Sequence, residues 1–226
     1  MGIVSRIASL FTGFNWVIIP ASFLAVVLHE ICHGYAALLL GDKTAKNMGR
    51  LSLNPFKHFD LAGILCMVLF KVGWAKPVPI NPLYFRKQKL GICIVSACGP
   101  LANIVAAFMS IAVSVLISLI DTGNAVVLFV LNTFFEFFRI FAVLNVSLAV
   151  FNFLPIPPLD GSKILFALLP NKAYGFILNY ERYGILLLLI LINIPFFSDV
   201  LGYVHVQIFN EMAYLVSKII LNIRMF

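Results

Sequence analysis

The sequence predicts an all-α polytopic membrane protein with about five to six transmembrane helices, a re-entrant segment and a short edge strand. Three observations carry that prediction. Hydrophobic residues make up 62% of the 226-residue chain and charged residues only 11%, too few to cover the surface of a soluble domain. Long apolar runs alternate with short polar stretches, and the mean hydropathy is +1.04. Backbone in hydrocarbon must satisfy its own hydrogen bonds, which makes the spanning runs helices. No repeat interrupts the pattern, and residues 1–226 read as one transmembrane domain.

The first span is expected from about Phe14 to Gly41. It is no cleavable signal: it is too long, its start lacks a cluster of positive charges, and it carries His29, Glu30 and His33. Gly41-Asp42 ends it in the manner of a helix C-terminus. In the polar stretch Lys43 to Asp60, Asn54-Pro55 reads as extended or turn. Leu61 to Phe70 is shorter than the roughly 20 residues that a span needs. Basic stretches flank it on both sides, so a re-entrant segment is expected there, with an interfacial one as the alternative.

Next comes W-A-K-P-V-P-I-N-P, Trp74 to Pro82. Pro77 and Pro79 lose their N–H groups on one edge of an extended segment, while Lys76, Val78 and Ile80 keep theirs on the other. An edge strand able to pair on one side follows; a polyproline-like connector is the alternative. A long span is expected from Ile92 to Ile120, with Gly99, Pro100 and Asn103 in its first turns. Asp121 to Asn124 is a tight turn, and Ala125 to Phe153 returns across the membrane. Pro155, Pro157 and Pro158 break the helix, and Asp160-Gly161-Ser162 restarts it. A further span covers Tyr183 to about Ile194, with an extension past Pro195 as the alternative. Val204 to Asn222, with its polar His205, Gln207, Asn210, Glu211 and Lys218, either spans or lies in the interface.

The net charge of +7 raises the question of nucleic acid. Its distribution answers for a membrane instead. Lys43, Lys46, Arg50 and Lys57 share one polar stretch, and Lys76, Arg86, Lys87 and Lys89 the next. Short Lys/Arg-rich loops mark the cytoplasmic side. The expected topology is a multi-pass protein of the cell membrane with its N-terminus outside. Four cysteines without a CxxC spacing indicate neither a disulfide framework nor a thiolate zinc site.

The chemistry lies in H-E-I-C-H, His29 to His33. Histidines at i and i+4 stand one turn apart on one helix face and can ligate one ion. Glu30 beside them is placed to take a proton from metal-bound water. Three ionisable groups in a membrane helix are costly without partners, and metal chelation offsets that cost. A catalytic zinc needs a third ligand from elsewhere. Asp160 is the best candidate, in the apolar, proline-broken segment L-P-I-P-P-L-D-G; its plain alternative is a helix N-cap. Glu136 competes, but Arg139 at i+3 offers it a partner. His58 in the basic loop and His205 in the last segment are less well placed.

Together, H-E-I-C-H, G-P-L-A-N and F-N-F-L-P-I-P-P-L-D-G resemble the site-2 protease family of intramembrane metalloproteases. N-P-F-K-H-F-D and G-W-A-K-P-V-P-I-N-P are similar to its small prokaryotic branch, which has no PDZ or CBS domain. The resemblance runs from Val26 to Tyr183. It implies Zn2+ bound by His29, His33 and Asp160, Glu30 as the catalytic carboxylate, and Asn152 assisting substrate or transition-state binding. The edge strand would lie near that site, toward the cytoplasmic face. The implied substrate is a transmembrane helix of a membrane protein; partners are that substrate and the bilayer, not nucleic acid, and no oligomeric state is indicated. Lys71, in an apolar run, departs from the pattern. A metal-ion transporter, a zinc hydrolase of a non-peptide substrate and a non-catalytic metal binder are the rival readings. A transporter needs a polar path to both faces, which the span after Ile104 scarcely offers.

Overall fold

The structure, a computed structural model, describes residues 16–54, 57, 58, 60, 76–170 and 183–224. Seven helices lie among these: α1 (Ile18–Leu39), α2 (Thr44–Asn47), α3 (Gln88–Ser118), α4 (Ala125–Asn152), α5 (Asp160–Leu168), α6 (Gly184–Ile192) and α7 (Pro195–Arg224). α1, α3 and α4 are each long and apolar enough to cross a membrane; α6 and α7 together make a fourth, bent candidate.

α3 is the central helix, packed against α1, α4, α5 and α7. Small residues let the helices approach closely, as packing in a bilayer requires. Ala21 and Ala25, one turn apart on α1, are fully buried in a cluster with Phe141 of α4. Ala36 and Ala37 pack with Val95 of α3 and with Phe85, which follows the 3-10 turn Pro82–Tyr84. α7 closes the other side, with Val216 in one cluster with Ile111 and Ala142. The many exposed leucines, valines and phenylalanines of α3, α4 and α7 form the lipid-facing surface.

Gly41 ends α1 in the left-handed region, at φ 105°, as a helix-stopping glycine does. Asp42, fully buried, then ties the loop together. Its carboxylate accepts the Thr44 amide and hydroxyl and, 39 residues away, the Asn81 amide. Burial pushes the Asp42 carboxyl up, but these three donors outweigh it and hold it below the usual carboxylate range.

Several expectations change. The described residues hold three candidate spans, or four with the bent pair; the expected five to six is a count over the whole chain. The helix within Tyr183 to Ile194, Gly184–Ile192, passes as a span only together with α7 beyond Pro195, which it meets at an 81° bend. Pro195 is the cause, because it lacks an N–H and disfavours helix at the residue before it. The last segment is one 30-residue helix packed on α3 and α4.

The edge strand is not formed either: residues 76–81 carry no strand. The donor edge expected to pair with a strand is used elsewhere. The Lys76 amide bonds the His58 carbonyl at 2.9 Å, and the Val78 amide bonds Glu30 Oε2 at 2.8 Å. Arg50 holds the Lys76 and Pro77 carbonyls from the other side. These acceptors sit on a loop and a helix, so no ladder can form. The expected re-entrant segment and Lys71 lie outside the described residues.

Candidate metal centre

α1 brings His29 and His33 to one face, and the start of α5 brings Asp160 to meet them. All three are buried, at 6%, 6% and 8% exposure. His29 Nε2 and His33 Nε2 are 3.0 Å apart, and each lies 3.1 Å from Asp160 Oδ2. Among the described residues these are the histidines, cysteines and acids grouped closely enough to hold one ion. Zinc at about 2.0–2.1 Å from tetrahedral ligands places those ligands roughly 3.3 Å apart. The observed triangle fits such an ion with a small relaxation.

The hydrogen bonds outside the triangle leave the Nε2 atoms free to face an ion within it. His33 Nδ1 is 2.7 Å from the Val95 carbonyl, which only accepts, so this nitrogen carries the proton. His29 Nδ1 is 2.6 Å from Asn103 Oδ1 and donates likewise. With each ring neutral, both Nε2 atoms present lone pairs, and Asp160 Oδ2 is a third acceptor. Three acceptors around 3 Å apart repel one another unless a cation joins them. The two partnered Nδ1–H groups are also what orients zinc-binding imidazoles.

Backbone geometry makes room for this group. A Cβ added at Gly99 would come within 2.7 Å of His29 Cε1 and closer still to the His33 ring. Only glycine leaves the two rings their place against α3. Pro100, which brings no N–H to the helix, lies in the turn after Val95.

Asp160 is not an N-cap. α5 is preceded by Leu159 as cap, with no side-chain capping bond, and Asp160 is the first helical residue. A carboxylate there is favoured by the helix dipole, and its Oδ2 faces the histidines instead of the backbone. Glu136 bonds Arg139 Nη2 at 2.8 Å in an exposed pair on α4 and stays out of the group. His58 Nε2 bonds the Ser52 carbonyl, and His205 lies against Ser147. Glu30 is half-buried, its Oε2 held by Val78. The Asn152 amide donates to the Leu148 carbonyl of its own helix at 3.0 Å. Cys32, Cys93 and Cys98 are free thiols.

Sequence reasoning missed Val95 and Asn145. It placed Gly99 and Asn103 in G-P-L-A-N and kept the Val78 amide as a free donor, without assigning any of the three a task at the metal. Carbonyls and amides carry no residue signature, and Asn145 stands alone in an apolar run.

Two imidazoles and a carboxylate suit zinc, and their place among apolar helices long enough to span a membrane is what an intramembrane zinc metalloprotease requires. The sequence profile of peptidase family M50 matches residues 18–191, and the chain belongs to that family. It is 37% identical over 178 residues to YwhC of Bacillus subtilis (strain 168), a protein named as a zinc metalloprotease. That match covers 79% of this chain and 80% of YwhC. Rip2 of Mycolicibacterium smegmatis, named likewise, is 29% identical, over 82% of this chain and 70% of Rip2. No solved structure matches the chain.

Proposed function

We propose that His29, His33 and Asp160 hold the zinc, that Glu30 is the general base, and that the substrate is a transmembrane helix cut within or near the bilayer. The observation that carries the reading is the triangle of Nε2, Nε2 and Oδ2 atoms, 3.0–3.1 Å on a side. When bound, zinc supplies Lewis acidity, lowering the pKa of water toward neutrality and polarising a scissile carbonyl. Glu30 accepts the proton of the attacking water and returns it to the leaving amine. The Val78 N–H anchors Oε2, which leaves Oε1 to carry that proton. One Asn152 N–H is taken by Leu148; the other is the donor for the oxyanion of the tetrahedral intermediate.

A peptide bond within a helix is shielded by its own hydrogen bonds, so the substrate must unwind before it is cut. Extended backbone from residues 76–80 is the surface for it. Because the Val78 amide serves Glu30, the substrate pairs beside that bond. The proposed site of action is the cell membrane.

Metal analysis tests the assignment directly. Purified protein is expected to carry about one zinc per chain, and the His29→Ala, His33→Ala double variant none. Stoichiometric zinc in the double variant would overturn it.

The proposed orientation puts the N-terminus outside and Lys43 to Lys89 in the cytoplasm, following the Lys/Arg excess. From His33 to Gly41 the helix rises about 12 Å, which sets the zinc inside the bilayer toward the cytoplasmic face. Cysteines introduced singly at Thr44 and Thr122, in a background where native thiols are replaced, report it. An impermeant reagent outside the cell is expected to label position 122 and spare position 44; the reverse inverts the topology.

A further inference from the structure

Of two asparagines buried between the spanning helices, one accepts the His29 Nδ1 proton and the other has no part in the chemistry above. Asn103 of α3 and Asn145 of α4 are both fully buried, at 0% exposure. Amides at membrane depth are expensive unless each is satisfied. Here they are joined to each other and to the metal centre. Asn145 Nδ2 lies 2.7 Å from the Phe141 carbonyl, and Asn145 Oδ1 lies 2.7 Å from Asn103 Nδ2. Asn103 Nδ2 also lies 3.3 Å from the Ala25 carbonyl, and Asn103 Oδ1 lies 2.6 Å from His29 Nδ1.

The direction of every bond in this chain is determined. A backbone carbonyl can only accept, so Asn145 must turn its NH2 toward Phe141. Its oxygen then faces α3, and Asn103 must present its own NH2 there. The Ala25 carbonyl on α1 requires the same orientation of Asn103 independently. The Asn103 oxygen is left facing His29, where Nδ1 must carry the proton; in the neutral ring that leaves Nε2 as the lone pair. No other orientation of the two amides satisfies both asparagines.

We propose that Asn103 and Asn145 are positioning residues for the zinc ligand His29: a polar relay running from α4 through α3 to α1 that selects its metal-binding tautomer. Asn145 acts through Asn103 and touches neither His29 nor the ion. The relay also explains why two polar groups persist in an apolar interface. A leucine pair would fill the space, but would leave His29 free to put its proton on Nε2 and to rotate. His33 has the one-step equivalent, the Val95 carbonyl. The proposal rests on His29 as a ligand, which the zinc content of the His29→Ala, His33→Ala protein tests separately.

Zinc affinity by chelator competition, measured on detergent-purified full-length protein, tests the relay. Asn103→Leu is expected to weaken zinc binding about 10–100-fold, the usual worth of a partner behind a metal-binding histidine. Asn145→Leu is expected to weaken it by a smaller factor. Its effect is expected to vanish in the Asn103→Leu background, because both act along one chain. Asn145→Ser is the second variant: its hydroxyl can serve the Phe141 carbonyl but is too short to reach Asn103, so zinc binding should weaken without an orphaned donor on α4. A purely structural role predicts another pattern: lower thermal stability of metal-free and zinc-loaded protein alike, with unchanged zinc affinity. That result for Asn145, or additive effects of the two substitutions on zinc affinity, overturns the proposal. Solid-state 15N NMR of histidine-labelled, zinc-loaded wild type needs no folded variant. It is expected to show His29 with a proton on Nδ1 and the metal on Nε2. Metal on Nδ1 sinks the relay even if zinc binds stoichiometrically.

Discussion

Glu30→Gln is expected to lower peptide-bond cleavage by about 10²–10⁴-fold, the range for loss of a general acid–base group, while zinc stays at one ion per chain. Glutamine has almost the shape of glutamate and still accepts the Val78 N–H through its carbonyl oxygen, so the local structure has no reason to change. What it lacks is an oxygen that can take a proton from water and give it to the departing amine. The measurement is turnover of a transmembrane peptide in proteoliposomes, with zinc content on the same preparation. Undiminished turnover would assign the base elsewhere. Loss of zinc would make Glu30 a ligand or a structural support. Zinc flux that survives the substitution would point to transport, since moving an ion requires no proton acceptor at this position.

Asp160→Asn is expected to remove most of the bound zinc and abolish cleavage. A neutral amide oxygen is a poor third donor beside two imidazoles, and it brings no negative charge against the cation. The loss should exceed the roughly 10–100-fold that a partner outside the ligand set is worth. Helix α5 should be little affected, because Asp160 is its first residue and makes no capping bond; asparagine would also have served well as a cap. Glu136→Gln is the control. It breaks an exposed ion pair with Arg139, worth about 0–1 kcal/mol, and should leave zinc in place. Normal zinc and activity in Asp160→Asn, with metal loss in Glu136→Gln, would move the third ligand to α4.

The parts of the site that were legible in the sequence are local. His29 and His33 share a face because i and i+4 do so in any helix, and Glu30 follows between them. Asp160 stood out because prolines at 155, 157 and 158 end one helix and a new one has to start. The limits of α4, expected from Ala125 to Phe153, differ from the structure by a single residue at one end. In these cases the reason lies within a few residues of the feature itself.

The tertiary structure decided everything that depends on which groups meet across helices. Asp160 stops being a potential cap and turns to histidines 131 and 127 positions away. The segment at 76–80 forms no edge strand, because its Lys76 and Val78 donors find acceptors on His58 and Glu30 first. Asn103 and Asn145, polar residues in apolar runs, become a directed relay to His29 only when α1, α3 and α4 are packed. Gly99 matters for the side chain it leaves out, and Val95 for a carbonyl every residue has. Helical periodicity assigns a side chain to a face of its own helix; it does not specify the partner across that face. That partner is set by close packing and by the need to pair every polar group sealed away from water.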